Sequence, residues 1–418
     1  MGTELHFISA NFGKYDTSSI GSYMSIGGFE ALRKAVTMDG EDIAKIVAAA
    51  KIKGRGGAGY DMGRKWTQAR AVKGEHKVVI CNADEGEPCT FKDRELIKQD
   101  PFNLIEALII AGWVVGATDA YIYMRAEYAC LRQLLLNAIR QAKSYGFLGK
   151  NILGKGFDFD IHLYSGAGAY VCGEGTALIR SIEGKAGRPR MKPPFIKVSG
   201  LFARPTCVNN VESLSIVPHL LLDNEGVYMH AGTPDSIGTK MVSVAGNVRN
   251  PGVFEIPFGT TVRDIVYNLA GGVPEDRQIR LIQFGGASGY IADASILDVP
   301  YTYDDLEKAG VNVGTGALLV IDERTSVLDF LTITQDFFSD ESCGQCTPCR
   351  EGNRHMRMLI EKLRRGEADT SDIEKMKKIT RIMPMSSLCG LGEGAQHAMI
   401  AAMRVFPEVF DVGGAANE

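Results

Sequence analysis

Short apolar runs alternate with segments of helical spacing along the first half of the chain. Residues 77–81, 120–124 and 158–164 are compact apolar runs that predict buried strands. Between them, Pro101–Val115 and residues 129–145 have the length and the apolar spacing of helices. Alternating strands and helices are typical of an α/β layer built on a parallel sheet, and this is the predicted fold class.

The first forty residues carry a weaker pattern. Residues 29–36 show helical spacing of apolar side chains, and a second helix is predicted near residues 40–50. We therefore expect residues 1–40 to form a weakly structured arm followed by a short helix, placed before the α/β domain.

The pattern changes near residue 240. Residues 241–256 predict two strands joined by an Asn-Pro-Gly turn, and residues 261–270 predict a helix with Thr261 as its N-cap. Strand, turn, strand, helix and strand together indicate a small β-grasp-like module, and the signal is helical and charged from Ser326 onward. The predicted organisation is an arm and helix at 1–40, an α/β domain at 41–238, a β-grasp domain at 239–325 and a helical domain at 326–418.

Composition and charge exclude several classes of function. Hydrophobic residues make up 45% of the chain, charged residues 23%, and the net charge is −4, so nothing favours binding to nucleic acid or to an anionic membrane. The most apolar run, residues 107–117, is shorter than the roughly 20 residues that a membrane-spanning helix needs. The N-terminus lacks the features of a signal peptide, so we expect a cytoplasmic protein without direct membrane insertion. Peripheral attachment to the inner face of the membrane through partners is the alternative.

Four of the nine cysteines form a pattern near the C-terminus. Cys343, Cys346 and Cys349 are spaced so that three thiolates can face one side of a [4Fe–4S] cluster, and Cys389 is available as the fourth ligand. Structural zinc sites also use four thiolates, but they usually pair two separated C-x₂-C motifs. The spacing therefore favours an iron–sulfur cluster, with zinc as the alternative. The other five cysteines are scattered, and we expect buried free thiols.

Three loops in the α/β domain have the composition of a ligand site. Gly54-Arg-Gly-Gly-Ala-Gly59 can let backbone N–H groups approach a phosphate, although its spacing is not that of the dinucleotide-binding fingerprint. The acidic turn 82–88 and the small-residue loop 165–174 both follow predicted strands. Either could be only a solvated loop, but ligands bind beyond the carboxyl ends of strands in open α/β sheets, which favours one shared pocket.

The order of these motifs along the chain resembles that of a known family. The motifs are Gly54-Arg-Gly-Gly-Ala-Gly59 with Lys65-Trp66, Cys81-Asn-Ala-Asp-Glu85 with Glu87-Pro88, Gly166-Ala-Gly-Ala-Tyr170 with Gly173-Glu174, Asn209-Asn-Val-Glu212, Glu341-Ser-Cys-Gly-Gln-Cys-Thr-Pro-Cys-Arg350 and Ser387-Leu-Cys-Gly-Leu-Gly392. Over roughly residues 27–410 they resemble the NADH-binding flavoprotein subunit of respiratory complex I and its relatives in NAD-linked hydrogenases and formate dehydrogenases.

The resemblance implies three domains and two bound cofactors. An FMN-binding parallel-sheet domain is followed by a small β-grasp (ubiquitin-like) domain and by a C-terminal helical bundle. The bundle holds one [4Fe–4S] cluster on Cys343, Cys346, Cys349 and Cys389. NAD(H) is the implied substrate.

The resemblance also implies a role for individual residues. The positions that match the flavin site are Gly54, Gly56, Lys65, Asn82, Asp84, Tyr170, Gly173, Glu174, Asn209 and Asn210. The positions that match the NADH site are Tyr60, Glu87, Lys192 and Phe195, with Tyr60 and Phe195 holding the adenine. Glu87 and Glu174 are the candidate catalytic residues.

The implied activity is a diaphorase reaction inside a larger complex. A hydride passes between NAD(H) and FMN, and single electrons pass between FMN and the cluster, in either direction. Implied partners are a small thioredoxin-like [2Fe–2S] subunit and a larger iron–sulfur, hydrogenase or formate dehydrogenase subunit. The resemblance leaves two parent complexes open, complex I and a soluble NAD(P)-linked enzyme, and electron bifurcation is an alternative for the second. A non-catalytic assembly or ligand-sensing protein is a remote alternative.

Three positions depart from the family pattern. Gly175 stands where the family usually has a second glutamate, Gln68 replaces an aromatic beside the adenine, and Cys89 replaces a glycine. A carboxylate beside the adenosine ribose would repel a 2′-phosphate, so its loss at Gly175 predicts better tolerance of NADPH, with neutral drift as the alternative. Gln68 puts the adenine contact in doubt, and packing is the expected role of Cys89.

Overall fold

The structure is a computed structural model that describes residues 4–412. The first three residues of the predicted arm and the last six of the predicted helical domain lie outside this range. Within it, two β-sheets and a C-terminal group of helices follow one another along the chain.

The first sheet has four parallel strands in the order β3-β2-β1-β4. The strands are β1 Lys77–Ala83, β2 Ala117–Met124, β3 Asp160–Ser165 and β4 Thr206–Asn210. The central strand β1 is apolar at successive positions and buries Val78, Val79 and Ile80. Such a run is typical of a parallel strand that is covered on both faces. The predicted α/β fold class is confirmed by this sheet.

Ten helices surround or precede this sheet. They are α1 Ile20–Ser25, α2 Glu30–Ala35, α3 Gly40–Ala49, α4 Met62–Ala71, α5 Lys92–Gln99, α6 Pro101–Val115, α7 Ala129–Ser144, α8 Gly175–Ile182, α9 Val211–Leu222 and α10 Val227–His230. The predicted helix Pro101–Val115 is α6, which is buried almost all round and ends at Gly116 with φ +70°. Glycine at this position satisfies the left-handed conformation that ends many helices.

The second sheet has the mixed topology of a β-grasp domain, in the order β6-β5-β9-β7-β8. Its strands are β5 Thr239–Gly246, β6 Gly252–Pro257, β7 Ile279–Phe284, β8 Ile291–Ala292 and β9 Ala317–Asp322. The hairpin predicted around the Asn-Pro-Gly turn is β5 and β6. The helix predicted at 261–270 is present as a shorter helical segment, Asp264–Leu269, whose first turn is capped by Thr261 Oγ1 accepting from the Asp264 N–H. The α-helix α11 Tyr303–Lys308 lies between β8 and β9.

The remaining residues are helical, as the sequence predicts. The helices are α12 Val327–Glu341, α13 Thr347–Arg364, α14 Thr370–Ser386, α15 Gly390–Gly394 and α16 His397–Val405. Each of the two longest helices presents one buried apolar side, such as Met356 and Ile360 on α13. Among residues 4–412, no helix combines the length and apolar character needed to cross a membrane.

The N-terminal arm differs from the weakly structured segment that we expected. Phe7 and Ile8 are buried in the core of the α/β domain. The carboxylate of Glu255, on β6, accepts hydrogen bonds from the backbone N–H groups of Phe7, Ile8 and Ser9 at 2.8–3.1 Å. A remote acidic side chain therefore supplies the order that the local pattern does not show.

Candidate functional site

A cavity of about 600 Å³ lies where the three domains meet. On the α/β side, its wall includes Asn82 and Asn210 at the carboxyl ends of β1 and β4, where open parallel sheets bind ligands. The β-grasp domain contributes residues between 285 and 289 and between 312 and 315, and the helical domain contributes residues between 388 and 397. This volume is large enough for a nucleotide-sized ligand.

Most of the residues predicted for the site line this cavity. They are Gly56, Asn82, Asp84, Glu87, Tyr170, Gly173, Glu174, Lys192, Asn210 and Cys389. The parallel sheet brings the acidic turn and the small-residue loop to one edge, where Asn82 Nδ2 donates to the Gly173 carbonyl at 2.9 Å. The glycine loop lies between α3 and α4 and reaches the same cavity through Gly56. The shared pocket expected from the sequence is thus present.

The other predicted contacts are not among the residues that line it. They are Gly54, Tyr60, Lys65, Asn209 and Phe195. Lys65 Nζ donates to the Val208 carbonyl at 2.9 Å, and burial lowers the pKa of this lysine. Asn209 Oδ1 accepts from Trp66 Nε1 at 3.3 Å. Lys65 contacts β4 and Asn209 belongs to it, and neither residue lines the cavity. Their contact with a flavin therefore stays a prediction.

Tyr60 and Phe195, the predicted adenine contacts, are exposed aromatic side chains connected through Gln68. The Tyr60 hydroxyl donates to Gln68 Oε1 at 3.2 Å, and Lys197 Nζ donates to the same oxygen at 2.8 Å. Lys197 Nζ also lies 5.9 Å from the centroid of the Phe195 ring. Gln68 therefore organises this surface through polar contacts, where an aromatic would have stacked.

Asp84 presents a polar atom to the cavity that the described part of the chain leaves without a partner. Its Oδ2 is buried and has no hydrogen bond within residues 4–412. Burial raises the pKa of Asp84 to about 7, with Arg125 opposing this shift and Glu127 and Glu341 adding to it. A buried carboxyl without a partner is costly, so its placement is best explained by a polar ligand.

Glu87 is held by donors from two domains. The Tyr170 hydroxyl donates to its Oε2 at 2.7 Å, while the Ser288 N–H and hydroxyl donate to Oε1 and Oε2 at 2.8 and 2.9 Å. Burial raises the pKa of Glu87, and these donors limit the rise. His397 Nδ1 lies 2.8 Å from the Ser288 carbonyl, so the helical domain supports the same loop.

Glu174, the second candidate catalytic residue, has a different environment. Its Oε2 caps α8 by accepting from the N–H groups of Thr176 and Ala177 at 2.8 and 3.0 Å. Its Oε1 lies 3.1 Å from Lys192 Nζ. Glu174 and Lys192, which were predicted to contact different molecules, therefore form an ion pair at the cavity wall.

A group of buried charges lies under the glycine loop. Lys92, which lines the cavity, is 2.7 Å from Asp93 and 3.0 Å from Glu212, and Arg55 is 3.9 Å from Glu212. Burial opposes the charge of Lys92, but Asp93, Glu212 and Glu85 raise its pKa overall. Lys92 therefore stays protonated, and the two carboxylates that it contacts balance its charge.

Sequence reasoning missed Lys92, Ser288 and His397. Lys92 opens a charged segment that reads as the solvated start of a helix, although it lies four residues after the acidic turn. Ser288 lies in Gly285-Gly-Ala-Ser-Gly289, a small-residue loop after a strand, which is the signal that identified the other loops. No local pattern in the sequence singles out His397.

The four C-terminal cysteines line a second, smaller cavity. Cys346 and Cys349 belong to the start of α13, Cys343 to the loop before it, and Cys389 directly precedes α15. Burial raises the pKa of Cys349 to about 11, so a cationic centre is needed to hold its thiolate form. Among residues 4–412, no three His, Cys, Asp or Glu side chains converge on one ion position. The four thiols surround a volume, as the ligands of a multi-iron cluster do.

Cys389 lines both cavities, together with Val171 and Leu391. A ligand of the cluster therefore forms part of the wall of the larger cavity. Electron transfer between the two sites would cross only this shared wall.

The residues of the larger cavity fit FMN. Gly56 lines the cavity beside Asn210 and, as a glycine, adds no side chain to that wall. Lys92 lies at the same end, where it donates to Asn210 Oδ1 at 3.3 Å, and Asp84 Oδ2 supplies an unused polar atom. Phosphate and a polar ring edge are the groups that such a set can bind.

Three segments of the chain match protein families. Residues 47–219 match the Nuo51 FMN-binding domain, residues 241–292 match the SLBB domain, and residues 329–412 match the NADH-ubiquinone oxidoreductase-F iron–sulfur binding region. The last match includes the four cysteines predicted as ligands and favours [4Fe–4S] over the zinc alternative. FMN and a [4Fe–4S] cluster are thus confirmed as the cofactors of these regions.

Whole-chain comparisons agree. The chain is 41% identical to a subunit of the NADH-quinone oxidoreductase of Aquifex aeolicus, over 98% of this chain and 94% of the relative. It is 38% identical to the HndC subunit of the NADP-reducing hydrogenase of Solidesulfovibrio fructosivorans, over 98% and 83%. A chain of the NAD⁺-reducing [NiFe]-hydrogenase in the H₂-reduced state superimposes with a TM-score of 0.85 at 32% identity, covering 95% of this chain and 67% of that one. This chain therefore belongs to the family of NADH-oxidising flavin and iron–sulfur subunits that includes the FMN-binding subunit of complex I and the diaphorase subunits of NAD-reducing hydrogenases.

Proposed function

We propose that this chain exchanges a hydride with NAD(H) at an FMN bound in the larger cavity and exchanges single electrons with the cluster on Cys343, Cys346, Cys349 and Cys389. The observation that carries this proposal is the position of Cys389 in the walls of both cavities. FMN, when bound, supplies the conversion between a two-electron hydride and single electrons.

The protein residues have positioning and electrostatic roles in this proposal. The glycine loop and Lys92 bind the phosphate end, and Asp84 binds a polar edge of the ring. Glu87, which is immobilised by Tyr170 and Ser288, orients the nicotinamide nucleotide. Lys192 can leave Glu174 to meet the nucleotide, because its side chain is half-exposed.

An anaerobic spectral experiment tests the reaction. The full chain, loaded with FMN and iron, is mixed with NADH while the flavin band and the electron paramagnetic resonance (EPR) signal of the reduced cluster are followed. We expect the flavin band to bleach and the cluster signal to form. In Cys389→Ala the band should still bleach without the cluster signal. A flavin band that NADH does not bleach in the loaded wild-type chain would refute the proposal.

The proposed complex is multisubunit. This chain carries one cluster motif, so it needs an acceptor, for which we propose a small thioredoxin-like [2Fe–2S] subunit and a larger iron–sulfur, hydrogenase or formate dehydrogenase subunit. The related proteins named above are subunits of a quinone oxidoreductase and of hydrogenases. Purification of the tagged chain from its native cells, with mass spectrometry of the bound subunits, distinguishes these parent complexes.

We also propose that Gly175 relaxes discrimination against NADPH. Gly175 lines the cavity, and a Cβ at this position would meet only Ile196 Cδ1 at 3.5 Å, an ordinary contact. A glutamate can therefore be introduced without displacing the backbone. Its carboxylate would repel a 2′-phosphate on the nucleotide.

The matched variants Gly175→Glu and Gly175→Gln separate charge from size. The ratio of kcat/KM for NADPH to that for NADH should fall about tenfold in Gly175→Glu, as expected for loss of about 1.4 kcal/mol of binding. It should change little in Gly175→Gln. An unchanged ratio in Gly175→Glu would show that this position does not select the nucleotide.

A further inference from the structure

Three amide side chains meet in the interior of the helical domain, next to the cluster ligands. Gln335 on α12, Asn353 on α13 and Gln396 just before α16 are exposed by 3%, 1% and 0%. Asn353 lies four residues after Cys349, so both side chains face the same side of α13. The amide group is thus connected to one ligand of the cluster.

The amide of Asn353 has its nitrogen directed toward the sulfur. Its Nδ2 lies 3.4 Å from Cys349 Sγ and 3.4 Å from the Phe338 carbonyl oxygen, to which it donates. Because a carbonyl oxygen can only accept a hydrogen bond, this contact identifies the amino side of the amide. Reversing the amide would place two oxygens against each other.

The two glutamines hold the other side of this amide. Asn353 Oδ1 accepts from Gln335 Nε2 at 3.0 Å and from Gln396 Nε2 at 3.2 Å. Gln335 is itself oriented by donating to the Asn353 backbone carbonyl at 3.3 Å. Gln396 also donates to Gln335 Oε1 at 3.2 Å. The network therefore stabilises one orientation of the Asn353 side chain.

Of the four proposed ligands, all of which lie within residues 4–412, only Cys349 is buried. Ser342 Oγ lies 3.3 Å from the same sulfur and accepts from the Gly344 N–H at 3.4 Å, so its hydroxyl hydrogen is available to the sulfur. Two donors thus reach Cys349 Sγ where water has little access. In such surroundings a hydrogen bond has a larger electrostatic effect than in water.

We propose that Asn353 raises the reduction potential of the cluster by donating a hydrogen bond to Cys349 Sγ. Gln335 and Gln396 act as positioning residues that keep the amide nitrogen toward the sulfur. The reduced cluster carries one more negative charge than the oxidised cluster, and a donor at a ligand sulfur stabilises it preferentially. This proposal rests on the proposed ligation of the cluster by Cys349.

The test is an EPR-monitored redox titration of the full chain loaded with FMN and iron. Asn353→Leu removes the amide donor and keeps a similar volume. Asn353→Thr also removes it, since a helical threonine hydroxyl usually donates to the carbonyl four residues earlier. At the wild-type midpoint potential, the ratio of reduced to oxidised cluster should be about tenfold lower in each variant. This corresponds to a midpoint potential about 59 mV lower for a one-electron couple.

Asn103→Leu is the matched control, because Asn103 is a buried amide in α6 that donates to the Ser215 carbonyl in the α/β domain. It should leave the potential of the cluster unchanged. Iron content and cluster absorbance are measured on every variant. Cys349→Ala tests the premise separately, because this variant would retain its iron if Cys349 were not a ligand of the cluster. An unchanged midpoint in Asn353→Leu and Asn353→Thr overturns the proposal. Loss of the cluster from both also overturns it, because Asn353 would then support binding of the cluster.

Discussion

Glu87 shows how one carboxylate can be fixed from two directions. Its two oxygens accept from Tyr170 in the α/β domain and from Ser288 in the β-grasp domain. Two of the three donors are hydroxyl groups, which can also accept hydrogen bonds. An amide in place of the carboxylate can therefore be accommodated, so the charge can be removed without breaking the local structure.

Glu87→Gln should lower kcat/KM for NADH about tenfold while leaving the thermal unfolding temperature nearly unchanged. The expected loss corresponds to about 1.4 kcal/mol, the order of one hydrogen bond to a charged group. Steady-state kinetics with an artificial acceptor measures it. Glu393→Gln is the control, because Glu393 is an exposed carboxylate on the same cavity wall. Equal effects of the two substitutions would contradict a special role for Glu87.

The residues of the cavity were predicted best where a strand leads directly into a loop. Asn82 lies at the end of β1, Asp84 directly follows it and Tyr170 lies in the loop after β3, so one parallel sheet places them together. Lys92 and Ser288 could not be assigned in this way, because their position depends on how separate domains pack. Whether the predicted residues contact flavin and nucleotide stays a prediction.

Among the elements, the N-terminal arm and α2 depend on carboxylates far along the chain. Glu106 on α6 accepts from the Tyr23 hydroxyl at 2.7 Å and from the N–H groups of Phe29 and Leu32 at 2.9 and 2.8 Å. Glu106 thus satisfies N–H groups at the start of α2 that have no partner within the helix. The strands and helices could be predicted because their apolar patterns repeat along the sequence. These contacts join residues far apart in the chain, so no local pattern predicts them.

The buried Glu106 also predicts a dependence of stability on pH. Burial raises its pKa to about 7, although the Tyr23 hydroxyl and the two N–H groups oppose this. A carboxyl with a raised folded-state pKa contributes its stability below the unfolded pKa, near 4.5, and loses it as pH rises through 7. The free energy of unfolding should fall by about 3 kcal/mol from this group over that range.

Glu106→Gln should remove this part of the slope, because an amide does not titrate. Urea unfolding of the wild type and the variant at several pH values between 4.5 and 8 measures the difference. Glu30→Gln, an exposed carboxylate on α2, is the control and should leave the slope unchanged. Parallel curves for the wild type and Glu106→Gln would show that Glu106 does not titrate in this range.

For the whole molecule, a buried carboxylate joins the α/β domain to the β-grasp domain. Glu212 on α9 lies 2.7 Å from Lys240 on β5, 3.0 Å from Lys92 and 3.9 Å from Arg55. Burial alone would raise the pKa of Glu212, but Lys240, Lys92 and Arg55 lower it to about 2. Burial lowers the pKa of Lys240 to about 7 although Glu212 opposes this, so Lys240 depends on Glu212 to remain charged. One anion therefore serves three cations, and its loss is not equivalent to the loss of any one of them.

Glu212→Gln should destabilise the chain by about 3–5 kcal/mol, because it leaves the buried Lys240 and Arg55 without their carboxylate partner, while Lys92 keeps Asp93. Lys240→Met should cost much less, since Glu212 retains Lys92 and Arg55. Thermal unfolding of the two variants measures this asymmetry. Equal losses of stability would indicate that Glu212 and Lys240 act as a simple pair.

The domain order and the nature of each domain could be predicted at this scale, because each has its own periodicity. The contacts between the domains could not be predicted from the sequence. Lys240 reads in the sequence as one polar residue within a strand, and His397 as one polar residue within a helix. Both acquire their role from partners more than twenty residues away, Glu212 and Ser288.

Contact between the arm and Glu255 has a consequence for biosynthesis. The carboxylate is 246 to 248 residues later in the chain than the N–H groups that it binds. At roughly 5–20 residues per second, a ribosome needs about 12 to 50 s to synthesise that interval. The apolar side chains of Phe7 and Ile8 pack in the α/β core, but their N–H groups meet Glu255 only after most of the second domain's first hairpin has been made. The newly made chain must therefore hold these N–H groups without their final acceptor for much of its synthesis.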